Sequence, residues 1–141
     1  MPAIFEWNHE ITAADLDGLG HANNISYLKW MQSAALAHSA VQGWPPEAYS
    51  QLGCGWVVRS HFIEYLSPAL PGDTVVVRTW VADMKKVTSL RRFRIVTVRS
   101  DEERMLAKAE TDWAFVDYQT GVPKRIPAQV SSCFEIAAVQ D

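Results

Sequence analysis

Cysteine is scarce in this chain of 141 residues: Cys54 and Cys133 stand far apart and form no CxxC pair. That excludes a disulfide framework. No Cys/His pair has zinc-ligand spacing, and packing is the ordinary role of two such thiols. No apolar run approaches the roughly 20 residues that span a bilayer. The start, Met1-Pro2-Ala3-Ile4-Phe5-Glu6, lacks the basic residues and apolar stretch of a secretory leader. Positive charge is not in surplus either. A net charge of −3 and a pI near 5.8 argue against a nucleic-acid partner. Internal repeats, low-complexity segments and linkers are missing as well. These absences describe a single domain, residues 1–141, from a cytoplasmic protein with reduced thiols, no metal, no cofactor and no membrane segment. The length suffices for a core without disulfides or metals.

What the chain does have is apolar bulk and one polar cluster. Hydrophobic residues make up 48%, with six tryptophans, whose side chains need a core or an interface. Basic residues crowd one stretch: Lys85, Lys86, Arg91, Arg92, Arg94 and Arg99. Such a patch suits a phosphate-bearing small ligand better than a duplex. The densest chemistry lies in Asp15-Leu16-Asp17-Gly18-Leu19-Gly20-His21-Ala22-Asn23-Asn24, which runs straight into Ile25-Ser26-Tyr27-Leu28-Lys29-Trp30. Two acids, two glycines, a histidine and two asparagines thus stand at the mouth of a helix. A helix start exposes unpaired N–H groups and partial positive charge. A carboxylate beside it can attack, or activate water against, a carbonyl polarised by those groups.

Periodicity places the elements. Residues 3–12 alternate loosely and predict a strand. Ile25, Leu28, Met31, Ala35 and His38 recur at spacings of three and four, which predicts a helix from Asn24 to Gln42. Asn23 or Asn24 caps it and Gly43 stops it. Glu47–Leu52 adds a short turn. Strands follow at Trp56–Leu66, Thr74–Ala82, Thr88–Arg99 and Met105–Asp117. The turns between them fall at Pro68 to Asp73 and at Ser100–Glu103. Lys108, Glu110 and Asp112 face one way, and Ala107, Ala109, Thr111 and Trp113 the other. From Pro123 the chain reads as an irregular tail. Strand, long helix and four strands joined by short turns predict an α+β antiparallel sheet with one helix against it.

Three stretches carry a family resemblance. They are Asp15-x-Asp17-x-x-Gly20-His21-x-Asn23-Asn24-x-x-Tyr27-Leu28-x-Trp30, the run Phe62 to Ala69 with Gly72-Asp73, and Trp113 to Asp117 with Thr120-Gly121 and Arg125-Ile126-Pro127. Together they span nearly the whole chain. It resembles single-domain hotdog-fold acyl thioesterases of the 4-hydroxybenzoyl-CoA thioesterase type, in which an antiparallel sheet wraps around one long central helix. The resemblance implies that Asp17 is the catalytic carboxylate and that N–H groups near Asn24 receive the thioester oxygen. It implies sites between subunits, hence a homodimer or a tetramer. It implies that Lys85 and Lys86 stand where relatives carry basic residues for the CoA phosphates, and that Glu64 lies in a strand opposite the helix. The Gly20-His21-x-Asn23-Asn24 version resembles long-chain and plant acyl-ACP thioesterases, so the substrate is acyl-CoA or acyl-ACP.

The residues carry this chemistry without the family. A thiolate leaving group, with a pKa of about 8.5 on the cysteine reference, needs no strong general acid. Helix N–H groups serve the oxyanion. One carboxylate, as nucleophile or as general base, completes the set. His21 orients substrate or water, or bonds structurally. Gly20 lets a ligand approach the backbone or takes φ > 0. Asn23, Tyr27, Glu64, Lys85, Lys86 and Arg91 are the substrate-binding set. Two other readings stand beside hydrolysis. One is a hydratase or dehydratase using His21 with Asp17, and the other is an acyl-CoA-binding module without catalysis.

Overall fold

A computed structural model of the chain describes residues 3–137. Residues 1–2 and 138–141, the ends of the expected domain, lie outside the described residues. The elements are β1 (Phe5–Glu10), α1 (Asn24–Val41), α2 (Pro46–Leu52), β2 (Cys54–Tyr65), β3 (Thr74–Met84), β4 (Thr88–Arg99), β5 (Glu102–Asp117) and α3 (Ala128–Ser131). The five strands form one sheet in the order β1-β3-β4-β5-β2, with every neighbouring pair antiparallel. With α1 packed on one face, this is the hotdog arrangement that the sequence leads one to expect. No helix among the described residues is long and apolar enough to cross a membrane.

Alternation decides the faces. On β5, Ala107, Ala109 and Thr111 are buried while Lys108, Glu110 and Asp112 stay partly open. On β4, Ser89, Arg91, Phe93 and Ile95 turn inward. The helix meets this face with Tyr27, Trp30, Met31, Ala34 and Ala35, which pack on Val75, Val77, Phe93, Ile95 and Ala107. Full burial of a large apolar side chain is worth roughly 2–3 kcal/mol, so this layer outweighs any propensity in the helix itself. Ala34 and Ala35 allow the close approach. A second cluster, with Tyr49, Cys54, Val81, Phe115, Val130 and Phe134, closes the C-terminal end of α1.

The structure corrects the expected helix stripe. Ile25 is 60% exposed and Leu28 only partly buried, while Tyr27, Trp30 and Ala34 lie inside. Met31, Ala35 and His38 lie inside as expected, so the departure is confined to the first turns, where a helix this rich in apolar residues offers more than one stripe and the sheet selects among them. The Ser100–Glu103 turn is tighter than expected. Only Ser100 and Asp101 leave the ladder, both at positive φ (52° and 63°), and Glu102 and Glu103 are already in β5. That is a two-residue hairpin turn of the primed kind. The tail also contains the short helix α3, which its composition did not announce.

Candidate active site

Asp15 organises the loop before α1. Thr12 precedes a single 3₁₀ turn, Ala13–Asp15, and its N–H and hydroxyl both donate to Asp15 Oδ2, at 2.8 and 3.2 Å. His9 Nε2 lies 2.8 Å from the same oxygen, and the Trp30 indole donates to Oδ1 at 3.3 Å. The Asp15 carbonyl takes the Asn23 N–H (2.7 Å) and the Ser26 hydroxyl (3.1 Å). Burial pushes the Asp15 carboxyl up. The Thr12 N–H, the His9 ring and the Trp30 indole outweigh that and hold it below its ordinary value. A buried carboxylate with its lone pairs taken is a structural group.

Asp17, two residues on, is placed differently. Its N–H donates to the His21 carbonyl at 2.9 Å, and Leu16 pairs with Ala22 in an antiparallel bridge. The loop tip Gly18-Leu19-Gly20 is therefore turned outward, with Gly20 at φ 83°. Asp17 Oδ1 accepts the Leu19 N–H at 2.8 Å, and Oδ2 lies 3.5 Å from His21 Nδ1. About a third of each of these two side chains is open to solvent. Oδ2 thus keeps capacity to accept a proton or to attack.

The helix start completes the arrangement. Asn23 Oδ1 accepts the Ile25 N–H (2.9 Å), and the Asn23 carbonyl accepts the Ser26 N–H (2.9 Å). This is the N-cap expected of an asparagine there. The N–H of Asn24 has no hydrogen-bond partner among the described residues and lies at an exposed residue. The Tyr65 hydroxyl donates to the Asn24 carbonyl at 3.1 Å and steadies this turn from β2. The Ala22 N–H donates to the Ala69 carbonyl at 2.9 Å, which ties the loop to the β2–β3 connection.

Of the residues singled out from the sequence, the fold brings Asp17, Gly20, His21, Asn23 and Asn24 together. Tyr27 departs from a substrate-binding role: it is 2% exposed, and its hydroxyl accepts the Ala69 N–H at 3.1 Å. Glu64 is exposed on β2, opposite Lys108 in register. Lys85 and Lys86 are exposed at the β3–β4 hairpin and form no ion pair with any described residue. They stand at the far end of β3 from the loop, about 30 Å away at 3.3 Å per residue. Arg91 departs from a surface phosphate contact. It is 6% exposed, with Nη1 donating to His38 Nδ1 (2.9 Å) and Thr79 Oγ1 (3.1 Å). The remaining basic residues of that stretch have local partners. Arg99 pairs with Asp73 (2.6 Å), Arg92 lies 3.6 Å from Glu110, and Arg94 sits 5.5 Å from the Trp80 ring.

Sequence reasoning missed the part played by Asp15. A signal existed in Thr12-x-x-Asp15, a spacing close to that of a capping box. It also missed Tyr65 and the His38–Arg91 pair, which join elements far apart in the chain and leave no local trace. Among the described residues, no three of His, Cys, Asp and Glu are grouped so as to hold a metal ion.

The model of a family described as the thioesterase-like superfamily matches residues 11–134. Among solved structures, the chain is similar to a 1,4-dihydroxy-2-naphthoyl-CoA thioesterase from Synechocystis, with 17% identity, a TM-score of 0.83, and 92% of this chain and 94% of that one covered. It is similar to an aspartate-to-asparagine variant of 4-hydroxybenzoyl-CoA thioesterase complexed with 4-hydroxybenzoyl-CoA, with 15% identity, a TM-score of 0.86, and 95% and 100% covered. A protein from Staphylococcus aureus in complex with CoA matches with 15% identity, a TM-score of 0.84, and 92% and 80% covered. At these identities the likeness to the solved structures is one of fold.

Proposed function

We propose an acyl-CoA hydrolase, from the premise that the chain belongs to the thioesterase-like superfamily. It cleaves an acyl-CoA thioester to the free acid and the thiol. The observation that carries this reading is the pairing of one partly open carboxylate, Asp17, with the N–H of Asn24 at the start of α1, which has no partner among the described residues. The thioester carbonyl oxygen accepts the Asn24 N–H and gains the partial positive charge of the helix start as it becomes an oxyanion. Asp17 either takes a proton from an attacking water or itself attacks the carbonyl carbon to form an anhydride that water then opens. In both routes the oxyanion collapses and expels a thiolate. His21, beside Asp17 Oδ2, holds the carboxylate toward the reacting carbon, and Gly20 leaves room for the thioester. CoA is preferred over an acyl carrier protein as carrier, because Lys85 and Lys86 offer unpaired positive charge for its phosphates and structural neighbours have been captured with CoA ligands.

The working unit in this reading is a homodimer formed through β2. This strand of 12 residues lies at the edge of the sheet, and it exposes Val57, Val58, Phe62 and Tyr65, with Phe62 at 64%. A long apolar edge is a template for another strand, and a second copy offers the same edge antiparallel. The two-fold axis then stands normal to the sheet and reverses the direction of α1. Lys85 and Lys86 of one subunit come to the same end as Asp17 of the partner subunit, which removes the separation found within one chain.

The test is thiol release from a panel of short, long and aromatic acyl-CoAs. Wild-type protein should cleave at least one, and Asp17→Asn should lose on the order of 10²–10⁴ of that rate with unchanged thermal stability. Asp15→Asn, by contrast, should unfold at lower temperature. Absence of thiol release across the panel would sink the hydrolase reading. Hydration of an enoyl-CoA in its place would favour a hydratase built on His21 and Asp17, and tight acyl-CoA binding with no chemistry would favour a binding module.

A further inference from the structure

A cavity of about 250 Å³ lies between the C-terminal half of α1, α2 and the sheet. Ala35, Leu36, Trp56, Val81, Met84 and Trp113 make it mainly apolar, and Arg91 reaches its wall. Several of its neutral polar groups are already partnered, while the buried Trp113 indole N–H has no partner among the described residues. The Ser39 hydroxyl donates to the Trp44 carbonyl at 2.7 Å and lies 3.0 Å from the Tyr49 hydroxyl. The Trp56 indole donates to that same Tyr49 oxygen, and the Ser89 hydroxyl donates to the Asp83 carbonyl.

Among the described residues, Arg91 is the one charged side chain in its lining. Its guanidinium has no carboxylate within ion-pair distance among the described residues. What it does have is neutral. His38 Nδ1 accepts from it and so carries no proton there. Burial, then the adjacent guanidinium, hold the His38 ring down to about 4. Burial pushes the Tyr49 phenol up, so it supplies no anion either. A buried charge left uncompensated is costly, and even buried ion pairs are often replaced by apolar residues of like volume with no loss of stability. A protein that keeps an unpaired cation beside a cavity of ligand size has a place for an anion.

We propose that this cavity receives the far end of the acyl group and that Arg91 pairs with a carboxylate there, so that the preferred substrates are CoA monothioesters of medium-length dicarboxylic acids. The proposal rests on the hydrolase reading above. The cavity meets α1 at Ala35, Leu36 and Ser39, about 16–22 Å along the axis from Asn24. In a dimer paired through β2 this is the end that holds Asp17 of the partner subunit. A thioester at that loop then sends its acyl chain inward, between Trp56 and Trp113, toward Arg91. A cavity of this size admits a chain of several carbons, and an eight-carbon chain serves as the probe.

Two measurements test this on the wild type, Arg91→Met and Arg91→Lys. The first compares kcat/KM for octanoyl-CoA and for the monothioester of octanedioic acid. The wild type should prefer the dicarboxylic ester at least about tenfold, the Met variant should lose or invert that ratio through KM, and the Lys variant should fall between. A ratio that stays unchanged in a folded Met variant overturns the proposal, and so does a wild type that prefers octanoyl-CoA. Should Met fail to fold, an unchanged ratio in the Lys variant overturns it equally. The second measurement needs no catalysis. Octanoate should quench the tryptophan fluorescence of the wild type saturably and that of Arg91→Met far less, while methyl octanoate should treat both alike. Octanoate binding that ignores Arg91 overturns the assignment. If no CoA ester is cleaved, the hydrolase reading falls, and the titration by itself upholds or overturns the anion site.

Discussion

Asp15 and Asp17 are two residues apart, and their carboxylates meet opposite surroundings. Asp15 accepts from Thr12, lies against His9 and takes the Trp30 indole N–H, and is buried. Asp17 keeps one oxygen with only a 3.5 Å neighbour, His21. Residue type alone does not separate them; burial does. The same principle gives the chain an acid sensitivity. Both Asp15 and His38 have folded pKa values below their ordinary ones. For His38 the unfolded chain binds a proton from about pH 6.5 downward while the folded ring resists until about 4, so stability falls as pH drops through that window. One pKa unit is about 1.4 kcal/mol, which makes the loss roughly 3 kcal/mol. Asp15 extends the loss below that window: its contribution is present above the unfolded carboxyl value and is lost as pH falls through the lower folded value. Denaturant unfolding between pH 7 and 4 should show this decline, and His38→Gln should flatten it above pH 4.5. An equal decline in that variant would remove His38 as its source.

At the scale of elements, the first turn of α1 does most of the positioning. The Asn23 cap satisfies the Ile25 N–H and leaves that of Asn24 pointing out. Asn23→Ala should lower stability by about 1 kcal/mol, read as a fall in Tm. It should lower kcat/KM by more than that loss explains, because the Asn24 donor is no longer held in one direction. Unchanged hydrolysis would confine Asn23 to a structural role. Helix bounds were legible from Asn23, Asn24 and Gly43 because caps are local chemistry. The strand turns at Pro71-Gly72-Asp73 and Ser100-Asp101 were legible for the same reason. The helix face was legible only in part, at Met31, Ala35 and His38. Ile25 and Tyr27 are both apolar and two residues apart, and the sheet face they meet decides which is buried. Arg91 was misplaced for a related reason: it stood in a basic stretch of the sequence, and packing against α1 decided that its face of β4 was the inner one.

On the whole-molecule scale, the open β2 edge is the feature that remains to be filled. A lysine at Phe62 would place charge in the proposed two-fold strand pair. If the proposed pairing holds, the wild type should sediment as a dimer and Phe62→Lys as a monomer. The variant should also lose about 10² in hydrolysis, since each site then lacks the partner's half. A monomeric variant with full activity would sink the shared site. By itself the sequence determined the order of elements, the antiparallel α+β class and the polar segment at the mouth of α1, because period, caps and turn residues act over a few positions. Only the tertiary structure decided which of the two aspartates is free, that Tyr27 belongs to the core, that Arg91 is sealed inside beside a cavity, and that Lys85 and Lys86 lie far from Asp17 within one chain. Burial and charge pairing are properties of neighbours in space, and those neighbours come from strands and helices distant along the chain.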